Sequence, residues 1–465
     1  MLPSLALTAL LTFSGETQRR IEAVESGLLP AVQLTNQPPD RRSILGEMAK
    51  MHVTAVSIAV IHGGKLDWAK GYGIGGTVVT PSTLFQAASI SKSLTAMAAL
   101  NLVQQGKIGL DAPIETALRS WTLPANTFTA QHPVTLRGLL SHTAGITVSG
   151  FEGYSAGQPV PTLRQVLDGE KPANSAPVIV KTVPGQQYNY SGGGYTIVQQ
   201  AILDATGLTY PEFMRTTVLR PLKMAQSTFE QPLNPDWLKR AALPVDAEGK
   251  PLAGGPNTYP EMAPAGLWTT SSDLAKWVIE MQKSLAGKAN HVLSAETTRL
   301  MLTAVREDYG LGAEVHKTGR PSFAHTGANV GYQSYYFSYE DGDGAVILTN
   351  SNNSQNLISE ILRGLAHEYR WPDFPQTQRT AIDVPIAEVL PFTGKFSAKG
   401  AFDFSINADG DHLVFAPPFG PSQPLLNSSK TSFFVLAGTL QMTFETPDRG
   451  VLSFGEQKVP FERMK

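Results

Sequence analysis

Ser89 and Lys92, in Ser89-Ile90-Ser91-Lys92, stand three residues apart at the start of a strongly apolar stretch. On a helix that spacing puts both side chains on one face. A helix N-terminus offers positive potential and unpaired N–H groups to an anion forming at the serine. Burial disfavours the charged form of an amine, so a lysine held there can take the hydroxyl proton and make the serine a nucleophile. The plainer alternative is an N-cap serine with an incidental lysine. Against it, Leu94, Met97, Ala98, Leu100, Leu102 and Val103 cover most of the circumference of the predicted helix 89–105 and leave Lys92 no exposed face. A second cluster is Tyr188-Asn189-Tyr190-Ser191-Gly192-Gly193-Gly194-Tyr195. Its glycines permit a tight turn and close backbone approach, and a phenol such as Tyr190 beside a cation could relay a proton. The competing reading is a glycine-rich loop carrying core tyrosines. The third is His325-Thr326-Gly327-Ala328 on a predicted strand, where a donor followed by a small residue would let a substrate lie along the strand edge. Lys317-Thr318-Gly319 is set aside, because Arg320-Pro321 follow it and the segment reads as a turn between two strands.

Other chemistries find no support. Gly71, Gly73 and Gly76 match a dinucleotide-binding glycine pattern, but Thr77-Val78-Val79-Thr80-Pro81 cannot open the helix that pattern needs. The nine histidines contain no pair at helical ligand spacing, so no metal or other cofactor is expected. With no cysteine, thiol nucleophiles, disulfides and cysteine-ligated clusters are excluded, which leans towards an oxidising compartment. The 37 basic and 39 acidic residues give a net charge of −2, so there is no basic field for nucleic acid or acidic lipid. At 42% hydrophobic residues the 465-residue chain can bury a sizeable core.

The elements that must position these groups read as follows. Residues 53–61 and 66–72 form a hairpin through His62-Gly63-Gly64-Lys65, and helix 89–105 ends at Gly106. A mostly helical middle runs to about residue 300. Strands return at 309–316, 322–326, 332–339 and 345–350, and a helix over 355–369 closes this body. Residues 30–40 and 372–385 read as proline-containing linkers. Beyond them, short alternating runs at 402–406, 413–416, 432–436, 440–444 and 451–454 predict a small antiparallel sheet or barrel. Residues 2–13 are apolar but too few to span a bilayer, suit a signal-peptide core and lack a preceding positive charge. The expected division is a possible signal peptide at 1–15, an N-terminal helix and linker at 16–39, a catalytic domain at 40–371, a linker at 372–385 and a β domain at 386–465. Such a leader implies a periplasmic or secreted protein.

Taken in order, Ser89-x-x-Lys92, Tyr190-Ser191-Gly192 and His325-Thr326-Gly327 resemble the three boxes of the serine β-lactamase and penicillin-binding protein superfamily. Leu139-Leu140-Ser141-His142-Thr143-Ala144-Gly145 and Tyr309-Gly310-Leu311-Gly312 agree, and the resemblance runs from about residue 40 to 370. It is strongest to the class C β-lactamase-like branch, with its DD-peptidases, D-amino-acid peptidases and family VIII esterases. The resemblance implies an α/β fold: an antiparallel sheet flanked by helices, an all-helical region, and here an added lipocalin-like C-terminal β domain. It implies acylation of Ser89 with Lys92 and Tyr190 sharing proton transfer, and an oxyanion held by the backbone N–H groups of Ser89 and Ala328. His325, Thr326 and Gly327 would hold the substrate, His325 standing where relatives carry a lysine, while His142 reads as structural. Gly192 stands where relatives carry an asparagine that contacts the lysine and the substrate's acyl amide, which should loosen substrate grip. The expected activity is a metal-free serine hydrolase of a small-molecule or peptide substrate, peptidase or amidase foremost. Alternatives are a carboxylesterase, a class C-like β-lactamase, and a non-catalytic penicillin-binding or scaffold protein.

Overall fold

The computed structural model describes residues 14–464 apart from 131, 419–421 and 456. The expected leader thus falls almost wholly outside the described residues. Ser14 caps, and Gly15 opens, a helix over Gly15–Glu25. The described chain packs as two compact units, Met48–Ser354 and a second built from 14–47 with 355–464.

The first unit holds the three sequence clusters. Strands β1 (Ala55–His62) and β2 (Lys65–Gly73) form the expected hairpin, its turn made by Gly63 and Gly64 at φ 57° and 71°, a region open to glycine without strain. Strands β3 (Glu314–His316), β4 (Ser322–Asn329), β5 (Tyr332–Tyr339) and β6 (Gly344–Thr349) complete an antiparallel sheet in the order β2-β1-β6-β5-β4-β3. Every residue of β1 except His62, and every residue of β6, is buried, as expected of central strands covered on both faces. The predicted strand at 309–316 is realised only at its end: residues 309–313 turn, with Gly312 at φ 89°, and bring Tyr309 out of the sheet. β3 pairs with β4 only as far as Ala324, so among the described residues no strand flanks the β4 edge from His325 onward.

Between β2 and β3 the chain is mainly helices and loops. Helix α1 (Ser91–Gln104) is buried almost all round, with Gly106 at φ 67° closing its end. It begins two residues later than predicted, because Lys92 N and Ser93 N bond to Ser89 O and Ile90 O in a tight i→i+3 first turn. Helix α2 (Gly192–Thr206) corrects the reading of a glycine-rich loop: the three glycines are its first turn, and Ser191 Oγ caps it by accepting from Gly194 N at 2.9 Å. Helix α3 (Met262–Ala265) is a single turn and α4 (Ser271–Leu285) a long helix capped by Thr270.

In the second unit the two expected linkers are ordered together, Val32–Leu34 pairing in parallel with Thr377–Arg379. Helix α5 (Gln355–Tyr369), expected to close the catalytic body, belongs to this unit and pairs with its N-terminal segment through Arg42–Glu360 at 2.7 Å and Arg19–Glu368 at 2.8 Å. The C-terminal strands close into an eight-stranded antiparallel barrel, β7 (Gly394–Ala398), β8 (Phe402–Asp409), β9 (His412–Ala416), β10 (Gln423–Asn427), β11 (Ser432–Phe434), β12 (Leu440–Thr446), β13 (Arg449–Phe454) and β14 (Gln457–Arg463). β7, β10 and β14 escaped the sequence reading, since their apolar residues are few and β14 carries Pro460. A barrel of this size is filled by side chains. Phe444 packs against Phe396, Phe433 and Phe461 with ring centroids 5.6, 5.9 and 5.0 Å apart. Phe444→Ala should therefore leave a cavity worth about 3–5 kcal/mol, read as a lowered urea midpoint for loss of the barrel's structure.

Candidate active site

Ser89 sits in the turn that leads into α1, directly after Ala88, whose φ of 56° is left-handed and costly for a residue with a Cβ. Lys92, 2% exposed, points back along the helix, and its Nζ donates to Ser89 Oγ and to Pro264 O, both at 3.0 Å. The same Nζ lies 4.9 Å from the centroid of the Tyr190 ring and 5.8 Å from that of Tyr195. The first two sequence clusters thus meet around one nitrogen. α3 supplies the second acceptor through a backbone carbonyl, which no side-chain motif announces.

The third cluster arrives from β4. Gly327 passes so close to the nucleophile that a Cβ there would lie 3.0 Å from Ser89 N and 2.2 Å from Ala87 O. Only a residue without a side chain lets the strand edge lie against the amide that was expected to bind an oxyanion. Thr326 and Ala328 are exposed, while His325 is 2% exposed. The structure departs here from the expectation that a substrate could reach His325. Its Nδ1 lies 2.5 Å from Thr326 O and its Nε2 3.0 Å from Tyr309 Oη, so both ring nitrogens already have partners. Burial, reinforced by the charge of Lys92, pushes the His325 pKa down to about 3, and burial pushes the Tyr309 phenol well up. The ring is therefore neutral, its Nδ1–H donating to Thr326 O and its Nε2 accepting from the Tyr309 hydroxyl.

His142, read as structural, also faces this site. Its Nδ1 accepts from Ser191 N at 3.0 Å, directly beside Tyr190, and its ring centroid lies 4.3 Å from that of Tyr190 and 5.0 Å from that of Tyr309. Burial, reinforced by the charge of Lys92, holds its pKa well below the ordinary value. Tyr309 and His142 are the residues sequence reasoning undervalued; the glycines after Tyr309 were a usable signal, whereas the approach of His142 depends on the fold. Gly192, at the place of the family asparagine, faces Phe151, whose Cε2 would lie 2.9 Å from a Cβ at 192.

Residues 41–366 match the Beta-lactamase family. The chain belongs to that family. Among relatives, this beta-lactamase-family chain is 26% identical over 374 residues to penicillin-binding protein 4 of Amycolatopsis lactamdurans, covering 75% of its own length and 94% of that protein. It is 22% identical over 323 residues to protein flp of Staphylococcus aureus strain MRSA252, covering 66% of its own length and 61% of flp. Its fold is shared with the octameric penicillin-binding protein homologue from Pyrococcus abyssi (TM-score 0.61, 23% identity, 90% of this chain and 98% of that one). It is shared also with the beta-lactamase/D-alanine carboxypeptidase from Yersinia pestis complexed with citrate (TM-score 0.53, 19% identity, 69% and 95%). Family membership supports serine-hydrolase chemistry in general terms.

Two tests follow from this geometry. Gly327→Ala should force β4 away from Ser89 N and lower kcat/KM by about 10²–10³, the usual effect of losing one oxyanion donor, with far-ultraviolet circular dichroism unchanged. Because His142 and His325 stay neutral when folded but charge below about pH 6.5 when unfolded, their stabilisation is complete above that pH and is lost as pH falls. Urea unfolding should show stability falling as pH drops from 6.5 to 5, the share of His325 approaching about 1.4 kcal/mol per pH unit, and His325→Gln should remove that share.

Proposed function

We propose that this protein cleaves an amide or ester through an acyl-enzyme on Ser89, with peptidase or amidase action on D-amino-acid substrates foremost. The observation that carries the reading is Lys92 Nζ, buried and 3.0 Å from both Ser89 Oγ and Pro264 O. A base within hydrogen-bond reach of a hydroxyl, oriented in turn by a third group, is the arrangement an activated nucleophile needs. Ser89 Oγ attacks the carbonyl carbon while its proton passes to Lys92 Nζ. The C–N or C–O bond then breaks, and the proton leaves with the amine or alcohol by way of Lys92 and the Tyr190 hydroxyl. Water repeats the sequence in reverse and frees the acid. The oxyanion rests on the N–H groups of Ser89 and Ala328, and neutral His325 holds the strand edge in place through Thr326 O. The D-alanine carboxypeptidase named among the structural relatives supports the peptidase subclass by analogy alone. A carboxylesterase is the second reading, favoured by the absence of any side-chain amide at position 192.

Intact-mass analysis after incubation with a penicillin or a fluorophosphonate should show one adduct on the wild-type chain and none on Ser89→Ala; an adduct that persists in the variant overturns the assignment. On p-nitrophenyl esters, nitrocefin and D-Ala-D-Ala peptides, Ser89→Ala should cost at least about 10³-fold in kcat/KM on whichever substrate turns over.

A further inference from the structure

The first turn of α2 carries a substitution of one kind of surface for another. Ser191 is extended, at φ −142° and ψ 115°, and links Tyr190 to the first residue of the helix. Tyr190 lies over Lys92 Nζ. Two residues on, the space for a side chain at 192 is taken: a Cβ there would meet Phe151 Cε2 at 2.9 Å, Cδ2 at 3.3 Å and Ser149 O at 3.3 Å. The loop bearing Phe151 is pinned to the helix start by Gly192 N donating to Ser149 O at 3.1 Å and Gly193 N to Val148 O at 3.0 Å. On its other side, Glu152 O accepts from Asn257 Nδ2 at 2.9 Å and from Tyr259 Oη at 3.1 Å. Phe151 itself is half-buried.

We infer that Phe151 is a specificity-determining residue: its ring, in the space left by Gly192, makes the cleft wall beside Tyr190 a hydrocarbon surface that selects substrates with an alkyl or aryl group flanking the scissile carbonyl. The inference rests on the serine-hydrolase reading above. A wall of aromatic carbon gains from burying hydrocarbon, about fourfold in kcat/KM per methylene fully buried, and offers no partner to an amide, which loses its water on entering. Gly192 is accordingly matched to Phe151, and a substituent at 192 must push the ring aside.

Two series of esters separate the sources of such a group. One varies the acyl chain from acetyl to butanoyl and benzoyl at constant p-nitrophenol; the other varies the alcohol from methyl to butyl and benzyl at constant acyl group. In the wild-type protein kcat/KM should rise about fourfold with each added methylene in the acyl series, or at the same rate per methylene in the alcohol series. Phe151→Ala should remove most of that rise and Phe151→Leu should retain it. Gly192→Asn, which forces the ring aside without touching it chemically, should lower the rise as Phe151→Ala does. The series that flattens identifies which half of the substrate lies on the ring. A fluorophosphonate adduct on wild-type Ser89 with a flat response in both series, or a rise unchanged in Phe151→Ala and Gly192→Asn, overturns the inference while leaving the nucleophile intact. Absence of an adduct on the wild-type protein overturns the underlying reading instead.

Discussion

An amine buried to 2% exposure needs acceptors for its N–H groups, and the arrangement of the first unit around Lys92 supplies them. One is the hydroxyl of Ser89, a turn earlier on the same chain; the other is the carbonyl of Pro264, 172 residues away, presented by a helix of a single turn. The rings of Tyr190 and Tyr195 lie 4.9 and 5.8 Å from the nitrogen, and the negative face of an aromatic ring tolerates a cation. No charged partner is among these contacts. The lysine is held by dipoles and ring faces and not by an ion pair.

The same nitrogen shapes its neighbours. His142 and His325 each lie in a dry environment within reach of its charge, and both are pushed towards neutrality. Each also has a donor aimed at one ring nitrogen, Ser191 N–H for His142 and the Tyr309 hydroxyl for His325. These bonds tie His142 to the start of α2 and His325 to the turn that carries Tyr309. Each donor leaves its imidazole a single tautomer.

Close backbone approach sets the other boundary. β4 can lie on the amide of Ser89 because Gly327 has no side chain, and the loop bearing Phe151 can lie on α2 because Gly192 has none. Neither glycine is needed for its φ; both are needed for the space. The Gly192 position reads from the sequence as a lost contact, and in the fold it is an occupied one.

The three boxes were legible without the fold because each is local: Ser89 and Lys92 share a helix face by spacing alone, and the alternation of residues around His325 marks a strand. Hairpin β1–β2, the burial of α1 and the barrel's presence follow from hydrophobic period and turn chemistry, which are properties of neighbouring residues. What the fold decided depends on residues far apart in the chain. Pro264 O on Lys92, Tyr309 on His325 and Phe151 on Gly192 are contacts across 172, 16 and 41 residues, made by a carbonyl, a tyrosine in a turn and a ring on a loop. The three further barrel strands, and the pairing of two proline-containing segments that resemble linkers, likewise required their partners to be present. The sequence by itself determined which side chains could act as nucleophile, base and proton relay. Tertiary structure alone decided that His325 is sealed between a carbonyl and a phenol, and that the Phe151 ring stands against Gly192, because side-chain access is set by what packs against a residue and not by its neighbours in the chain.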